Sequence, residues 1–462
     1  MSDPFVDPFS AEALDAVDRE LESKEKARIA AIVLPKPEVP VLSEEQKAVM
    51  DAVDMGQNIL ITGAAGTGKS FLLKALMAKY RTRLSVCATT GIVAVQVGGS
   101  TLHSWAGLGL GKGTPGEIAG RIKENMKALG NIQMATRLAI DEISMMSASL
   151  FTKVDKVFRI IRKCDRPFGG IQLICIGDYC QLPPVLKDSE DQDDGFCFQS
   201  PSWVEADIKL AFLTQAFRQA DPRFAEALNS IRLGEVTPLV SEILNSRYKQ
   251  KDEGSEIEPV VVYTHNADVD DYNMERLVKL EGEEKRFKAR DDGRPWAVKQ
   301  LEANCLAATE IVLRVGAQVM LLCNLDTGAG LANGSLGVVT GYSLGGVMVR
   351  FLNGETRLVE RNKWEIMDSG RIAATREQIP LRLAWAITSH KCQGMTLDKI
   401  RVHLAKCWEY GQAYVALSRV KTAAGLFIES GNKKVIRAHP AALEFYRTVE
   451  KIGVKKSAEL LK

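Results

Sequence analysis

The sequence predicts an α/β fold with two lobes, each built on a parallel sheet. Apolar strand-like runs alternate with helix-like runs from residue 42 onward, which is the pattern of a parallel sheet. A phosphate-binding loop joins the first strand to its helix, and the alternation resumes at residue 259 without a second such loop. Short β runs with turns then interrupt the second lobe, so we expect a small β barrel inserted there.

The composition describes an ordinary intracellular protein. At 462 residues the chain is too long for a single core. It has no apolar run long enough to cross a membrane, and its nine cysteines form no C-x-x-C pair or metal spacing. Residues 31–462 carry 56 basic and 50 acidic residues, so any nucleic-acid site must be a local groove. We expect a soluble protein without a membrane role, and the sequence does not distinguish cytoplasm from nucleus.

Residues 1–40 form a charged tail and a proline-rich linker. The acidic N-terminus resembles neither a secretory signal nor a transit peptide. Three prolines in residues 35–40 disfavour a helix and indicate an extended linker. Residues 1–34 are a possible binding segment for a protein partner.

The phosphate-binding loop matches G-x-x-x-x-G-K-[ST] at every fixed position. Glycines let the backbone wrap a polyphosphate, so that N–H groups and the positive end of the next helix face the anion. Lys69 would neutralise the β and γ phosphates, and the Ser70 hydroxyl would ligate Mg²⁺. An accidental match is expected in roughly a few per cent of chains this long. The pattern therefore predicts nucleoside triphosphate binding by Gly63, Ala64, Ala65, Gly66, Thr67, Gly68, Lys69 and Ser70.

Gln46 has two interpretations. Ser43 can cap a helix, with Gln46 three residues later as the other half of a capping box. Alternatively, Gln46 precedes the phosphate loop as an amide that reads adenine. The residues alone favour neither.

Acidic and amide side chains follow two further predicted strands. Asp141 and Glu142 end an apolar strand, where Asp141 would hold Mg²⁺ and Glu142 would orient the attacking water. Gln181 follows the strand at residues 168–178, and its amide could sense the γ-phosphate. A carboxylate pair after a strand is common, but downstream of a phosphate loop it indicates hydrolysis.

Two arginines are candidates for transition-state stabilisation. Arg218 follows a strand-like run and is either an ordinary surface residue or an arginine finger from the next lobe. Arg419 closes a helix-like run at residues 413–419 and is a second candidate.

Four further patterns give structural expectations. Trp105 precedes a glycine-rich stretch, which favours an exposed insertion over a core position. Asn353-Gly354 between two β runs predicts a hairpin, and residues 440–453 predict an amphipathic closing helix. Basic residues recur at helical spacing, which is typical of a solvated face: Lys153, Lys156, Arg159, Arg162 and Arg166.

Taken together, the motifs resemble the petite-integration-frequency (Pif) family of superfamily-1B DNA helicases, from about residue 42 to about residue 449. The match at residues 154–170 resembles the signature that separates this family from its relatives. Cys392 departs from the family, which usually has serine there, and adds a possible oxidation site. The other matching stretches are residues 42–46, 141–144, 177–185, 390–397 and 414–419.

The resemblance implies two RecA-like lobes with ATP between them and an SH3-like barrel in the second. The implied boundaries are residues 41–217 for lobe one, with a wedge insertion at about 98–130, residues 218–290 and 381–455 for lobe two, and 291–380 for the barrel. It assigns nucleotide chemistry to Gln46, Lys69, Ser70, Asp141, Glu142, Gln181, Arg218, Gly394 and Arg419. Single-stranded DNA would cross both lobes and contact Thr90, Thr101, His103, Thr388, His390 and Lys391.

The first hypothesis is therefore an ATP- and Mg²⁺-dependent helicase, expected to be monomeric, that moves 5′ to 3′ and opens duplex or forked DNA. A second is a phosphate-loop ATPase that remodels protein complexes. A third, a nucleotide-gated DNA-binding scaffold, is disfavoured by the Asp141-Glu142 pair. The sequence does not distinguish roles in replication, recombination and repair.

Overall fold

The structure is a computed structural model. It describes residues 42–109, 111–184, 194–219, 221–252, 256–263, 266–326, 329–368, 371–389, 391–392 and 394–451. Within these residues no helix combines the length and the apolar character needed to cross a membrane. The predicted tail at residues 1–34 lies outside the described part of the chain, as does His390.

A six-stranded parallel sheet forms the first lobe, with strand order β3-β2-β4-β5-β1-β6. The central strand β1 is buried along its whole length, as expected when helices cover both faces of a sheet. The strands are β1 (Ile59–Gly63), β2 (Leu84–Ala88), β3 (Ser100–Thr101), β4 (Arg137–Asp141), β5 (Gln172–Ile176) and β6 (Lys209–Leu213).

Among the described residues, eight α-helices accompany this sheet. Several begin at a serine, threonine or asparagine whose side chain accepts a backbone N–H of the first turn, as the N-cap preference predicts. They are α1 (Glu44–Asp54), α2 (Lys69–Tyr80), α3 (Gly91–Gln96), α4 (Leu102–Ala106), α5 (Pro115–Glu124), α6 (Met126–Met134), α7 (Ala148–Arg162) and α8 (Pro201–Glu205).

The segment predicted as a wedge packs into the first core. Buried side chains of α4, α5 and α6 join the same apolar cluster as the sheet. Trp105 is partly buried, and its ring lies 6.1 Å from that of Phe158. The interpretation of Trp105 as an exposed side chain is therefore wrong, because the glycine-rich stretch follows a helix that is anchored in the core.

The basic side chains of α7 are not simply solvated. Arg162 donates to the carbonyls of Ile132, Gln133 and Ala135 at 2.7, 2.8 and 3.0 Å. Arg159 pairs with Asp155 at 2.8 Å. The solvated-face interpretation is wrong for these two arginines: Arg162 ties α7 to the end of α6, and Arg159 pairs with the buried carboxylate of Asp155 one turn earlier in α7.

A four-stranded parallel sheet forms the second lobe, with order β18-β7-β19-β20. Helices α9, α10 and α13 bury apolar side chains in its core. The strands are β7 (Val260–Tyr263), β18 (Ala386–Thr388), β19 (Ile400–His403) and β20 (Leu426–Ser430), and the helices are α9 (Pro222–Arg232), α10 (Pro238–Ser246), α11 (Asn266–Val278) and α13 (Gln412–Leu417).

Antiparallel strands occupy the region between β7 and β18, together with α12 (Pro295–Asn304). They form a pair β10-β8, a five-stranded sheet β14-β13-β12-β11-β17 and a three-stranded sheet β15-β16-β9. The predicted hairpin is confirmed: β13 and β14 pair, and Gly354 in their turn has φ +87°. The SH3-like description stays a prediction. The strands are β8 (Glu284–Lys288), β9 (Arg290–Gly293), β10 (Glu310–Arg314), β11 (Gln318–Leu321), β12 (Leu336–Ser343), β13 (Gly346–Phe351), β14 (Thr356–Glu360), β15 (Asn362–Asp368), β16 (Arg371–Gln378) and β17 (Leu381–Leu383).

The predicted closing helix is present as α14 (Pro440–Lys451). Its buried residues Ala442 and Tyr446 pack in the core of the first sheet, although the helix follows the last strand of the second. The domain boundaries stay predictions, and this helix links the end of the described chain to the first lobe.

Candidate active site

The phosphate loop lies between β1 and α2 at the carboxyl edge of the first sheet, where α/β proteins bind ligands. Gly63, Gly66 and Gly68 have φ of 147°, 85° and 86°. A Cβ at Gly66 would lie 2.6 Å from Cβ of Arg218. The loop therefore needs glycine for its backbone conformation and for the close approach of the segment that carries Arg218.

Lys69 lies over the loop, and its Nζ donates to the carbonyls of Gly63 and Ala64 at 2.7 and 2.9 Å. Burial lowers the pKa of Lys69 to about 8, while Asp178 and Glu142 act in the opposite direction. Ser70, in the first turn of α2, is exposed. An ammonium group and an exposed hydroxyl are thus at the two places where phosphate and Mg²⁺ are expected.

Asp141 ends β4, and Glu142 follows in a left-handed conformation with φ 53°. The Glu142 backbone N–H donates to Asp141 Oδ1 at 2.9 Å. Burial raises the pKa of Asp141 to about 6. Burial and the neighbouring Asp141 raise the pKa of Glu142 to about 7, opposed by Lys69 and Arg419. This arrangement presents two adjacent carboxylates toward the cations of the cleft.

The sensor turn, residues 178–181, follows β5. Gln181 is buried, and its backbone N–H donates to the Asp178 carbonyl at 2.9 Å. The Asp178 carboxylate is completely buried and forms two hydrogen bonds with Arg232, at 2.9 and 2.8 Å. Burial alone would raise the pKa of Asp178, but Arg232 and Lys69 outweigh it and the pKa lies below its ordinary value. The sequence analysis singled out Gln181 and missed this ion pair.

Both candidate fingers lie beside the loop. Arg218 Nη1 donates to the Ser418 carbonyl at 3.1 Å, and burial together with Arg419 lowers the pKa of Arg218 to about 9. Arg419 is buried, and its Nε donates to the Val415 carbonyl at 2.7 Å. The interpretation of Arg218 as an ordinary surface residue is therefore wrong. Two cations that follow different elements meet in one cleft.

Tyr414 in α13 is a site residue that the sequence analysis did not single out. Its phenol oxygen accepts the backbone N–H of Ala65 in the phosphate loop at 2.7 Å. Burial raises the pKa of Tyr414, so the phenol stays protonated. The available signal was a tyrosine in an otherwise apolar helical run, five residues before Arg419.

Gln46 is buried in α1, and its Nε2 is 2.7 Å from where a Cβ on Gly68 would lie. The ring of Phe217, a side chain that is 56% exposed, lies 3.5 Å from the same point. An amide and an exposed aromatic ring therefore flank the start of α2. This location is compatible with the adenine-reading interpretation, which stays a prediction.

Gly394 and Cys392 belong to the segment after β18. Gly394 has φ 77°, and a Cβ there would lie 3.5 Å from Gln96 Oε1. Cys392 is fully buried, its Sγ donates to the Ser389 carbonyl at 3.1 Å, and burial raises its pKa to about 11. The structure does not support the predicted oxidation site, because reactive thiols are exposed and have a low pKa.

Three of the predicted DNA-contacting residues are threonines that stabilise local turns. The hydroxyls of Thr90 and Thr101 accept the first-turn N–H groups of Val93 and Ser104. Thr388, at the end of β18, is buried, and its hydroxyl accepts the N–H of Lys391 at 3.3 Å. Each of these hydroxyls therefore accepts a hydrogen bond within its own turn.

A cavity of about 690 Å³ adjoins this group. It is lined by Lys391, by Ile92 of α3 and by residues of α11, β10 and β17. Burial lowers the pKa of Lys391. His103 is half-buried, and burial lowers its pKa as well.

The geometry fits a magnesium-bound nucleoside triphosphate. The cradle around Gly63, Gly66 and Gly68 has no room for side chains, and Lys69 caps it. Ser70 and Asp141 supply a hydroxyl and a carboxylate, which are the oxygen ligands that Mg²⁺ prefers.

Comparisons with known proteins agree with this geometry. The family model "PIF1-like helicase" matches residues 41–253, and "DNA helicase Pif1, 2B domain" matches residues 298–342. The chain is 41% identical over 416 residues to the human ATP-dependent DNA helicase PIF1, covering 89% of this chain and 64% of that protein. It therefore spans somewhat less than two thirds of that relative's length.

Two solved structures of Bacteroides Pif1 are similar over 90% of this chain. The complex with ADP-AlF4 has a TM-score of 0.79 and 34% identity, and this chain covers 100% of it. The form bound to single-stranded DNA has a TM-score of 0.61 and 33% identity, again with 100% covered. On these grounds, this chain belongs to the PIF1-like helicase family.

Proposed function

We propose that this protein is an ATP-driven DNA helicase that moves 5′ to 3′ along single-stranded DNA. The observation that carries the proposal is the meeting of Arg218 and Arg419 with the phosphate loop and Glu142 in one cleft. The human relative is named an ATP-dependent DNA helicase, and Bacteroides Pif1 has been solved with ADP-AlF4 and with single-stranded DNA.

Hydrolysis would use groups from both lobes. Lys69 would bind the phosphates, Ser70 and Asp141 would hold Mg²⁺, and Glu142 would orient and polarise the attacking water. Bound Mg²⁺ would neutralise charge on the β and γ phosphates. Gln181 would sense the γ-phosphate, and Gly394 would lie close to the nucleotide.

The two arginines would supply positive charge that stabilises the negatively charged transition state. Arg218 and Arg419 reach the cleft through contacts of the second lobe, so their distance from the phosphates depends on how closely the lobes approach. Hydrolysis is thereby tied to lobe closure, which can be converted into steps along a strand.

Single-stranded DNA would lie across the carboxyl edges of both sheets. Thr90, Thr101 and His103 would contact it from the first lobe, and Thr388, His390 and Lys391 from the second. Opening ten base pairs costs about 14 kcal/mol at roughly 1.4 kcal/mol per stacking step. Contacts to single strands are worth about 1 to 3 kcal/mol per base and have no direction, so direction must come from hydrolysis.

The domain boundaries, a monomeric state and a protein partner for residues 1–34 belong to the same proposal.

The test compares two duplexes, one with a 5′ single-stranded tail and one with a 3′ tail, in the presence of ATP and Mg²⁺. We expect unwinding of the 5′-tailed duplex alone, and none by Lys69→Ala. If neither duplex is opened and the rate of ATP hydrolysis is the same with and without DNA, the proposal is overturned in favour of the remodelling ATPase.

A further inference from the structure

The buried carboxylate of Asp178 is the centre of a cluster that hydrolysis, as described above, does not use. Besides its two hydrogen bonds with Arg232, it accepts the phenol O–H of Tyr446 at 3.2 Å and the backbone N–H of Cys180 at 3.1 Å. The Arg232 guanidinium also lies 4.7 Å from the centre of the Tyr446 ring. Both side chains are at least 95% buried.

The three side chains come from three separate parts of the chain. Asp178 follows β5 of the first sheet, and Tyr446 is in α14. Arg232 ends α9, whose apolar side chains Phe224, Leu228 and Ile231 pack in the core of the second lobe. The ion pair therefore joins the two lobes inside the protein, where no solvent screens it.

Two connections lead from this cluster to the predicted nucleotide site. The Asp178 carbonyl accepts the N–H of Gln181, so Asp178 contacts both lobe two and the turn that carries the predicted sensor. The Tyr446 hydroxyl lies 2.7 Å from Thr62 Oγ1, one residue before the phosphate loop. Arg232 of α9 is thus connected through Asp178 to Gln181 and through the Tyr446 ring to the base of the loop.

A buried ion pair is weak evidence for a gain in stability, because desolvation offsets most of its attraction. We infer that Arg232, Asp178 and Tyr446 form an interlobe joint that sets the position of Gln181 and the phosphate loop according to the position of the second lobe. Arg232 and Tyr446 are positioning residues in this scheme. The inference rests on the proposed function, since it concerns how DNA binding across the lobes alters hydrolysis.

The readout is the ratio of ATPase turnover with saturating single-stranded DNA to turnover without DNA. Partial unfolding lowers both rates equally and leaves this ratio unchanged, so the ratio isolates positioning. For Arg232→Gln we expect the ratio to fall about tenfold. For Tyr446→Phe, which keeps the ring but removes the hydroxyl, we expect a fall of about threefold.

Arg376→Gln is the matched control. Arg376 is also completely buried, and it forms the same two-bond pair with Asp291, at 2.8 and 2.6 Å, in the antiparallel region. Its loss should lower the melting temperature and leave the ratio unchanged. If Arg232→Gln and Tyr446→Phe both match this control, the joint is only structural and the inference fails.

Three further outcomes are informative. If Arg232→Gln does not fold, the ratio for Tyr446→Phe decides the question. If the wild-type protein shows no stimulation by DNA, the helicase proposal fails and the joint fails with it. Stimulation that is present in the wild type and intact in both variants overturns the joint alone.

Discussion

The two parallel sheets share an architecture but differ in what their carboxyl edges carry. In the first sheet β1 leads into the phosphate loop, β4 ends at Asp141, and β5 leads to Asp178. In the second, β18 ends at Thr388 and β7 at Tyr263, and the sequence contains no second phosphate-loop motif. The second lobe contributes instead a phenol and an arginine, Tyr414 and Arg419, from α13 and the residues after it. Each sheet provides a rigid framework. The loops and helix ends at its carboxyl edge determine which functional groups it contributes to the site.

The substitution Arg419→Ala is the most direct test of the second lobe's contribution to the site. Because an arginine finger acts on the transition state, we expect turnover with single-stranded DNA to fall by about 10³-fold or more while nucleotide binding changes little. Steady-state ATPase assays and titration with a fluorescent ATP analogue measure the two quantities. Arg401→Ala is the control, since Arg401 pairs with Glu429 elsewhere in the same lobe. Unchanged turnover in Arg419→Ala would remove Arg419 from the catalytic site.

A second test concerns the cradle of the first lobe. Gly68→Ala places a side chain on a left-handed residue and against the Gln46 amide. Strain of about 1 to 3 kcal/mol should raise the KM for ATP roughly 5- to 150-fold. Gly56→Ala is the matched control, because Gly56 has φ +79° and nothing within 4 Å of an added Cβ. Equal effects of the two substitutions on KM would mean that the Gly68 backbone has no special part in binding.

The edges of the two lobes that are proposed to bind DNA can be compared through Thr90→Ala and Thr388→Ala. Each hydroxyl accepts an N–H three residues later, one in each lobe. Loss of about 1 kcal/mol should weaken binding of a labelled oligothymidine about fivefold in either variant, as measured by fluorescence anisotropy. The control is Thr136→Ala. Thr136 lies just before β4, at the opposite edge of the first sheet, and its hydroxyl donates to the Arg83 carbonyl. Binding as tight as in this control would contradict a DNA path across both lobes.

The smallest effect is expected for Cys392→Ser. A serine hydroxyl can donate to the same Ser389 carbonyl that accepts the thiol. We therefore expect unwinding within about twofold of the wild type and a change in unfolding free energy of less than about 1.5 kcal/mol. Measurements in the presence and absence of hydrogen peroxide should agree, because the thiol is buried. Inactivation by peroxide that is prevented in Cys392→Ser would reinstate the oxidation site.

The sequence predicted those parts of the fold and of the site that depend on local sequence patterns. The loop at residues 63–70, the carboxylates after β4 and the hairpin at Asn353 each depend on a few neighbouring residues. Asp178 and Arg232 are 54 residues apart and Tyr446 is 268 residues from Asp178. No spacing rule connects them, since their meeting depends on the tertiary packing of three elements.

The incorrect predictions about side-chain surroundings have the same cause. Helical spacing identified the basic face of α7 but not the carbonyls at the end of α6 that Arg162 contacts. Amphipathic spacing likewise identified α14 without identifying the core that receives it. A periodic pattern gives the face of a helix, and only the fold gives its partner.

The return of α14 to the first core has a consequence for biosynthesis. The ribosome completes the first sheet early, with β6 ending at Leu213, yet the ring of Tyr446 joins that core more than two hundred residues later. Chains generally fold from the N-terminus as they emerge at about 5 to 20 residues per second. The first lobe would therefore wait on the order of ten seconds or more with part of its apolar surface uncovered, and it would become complete only after the second lobe has been made.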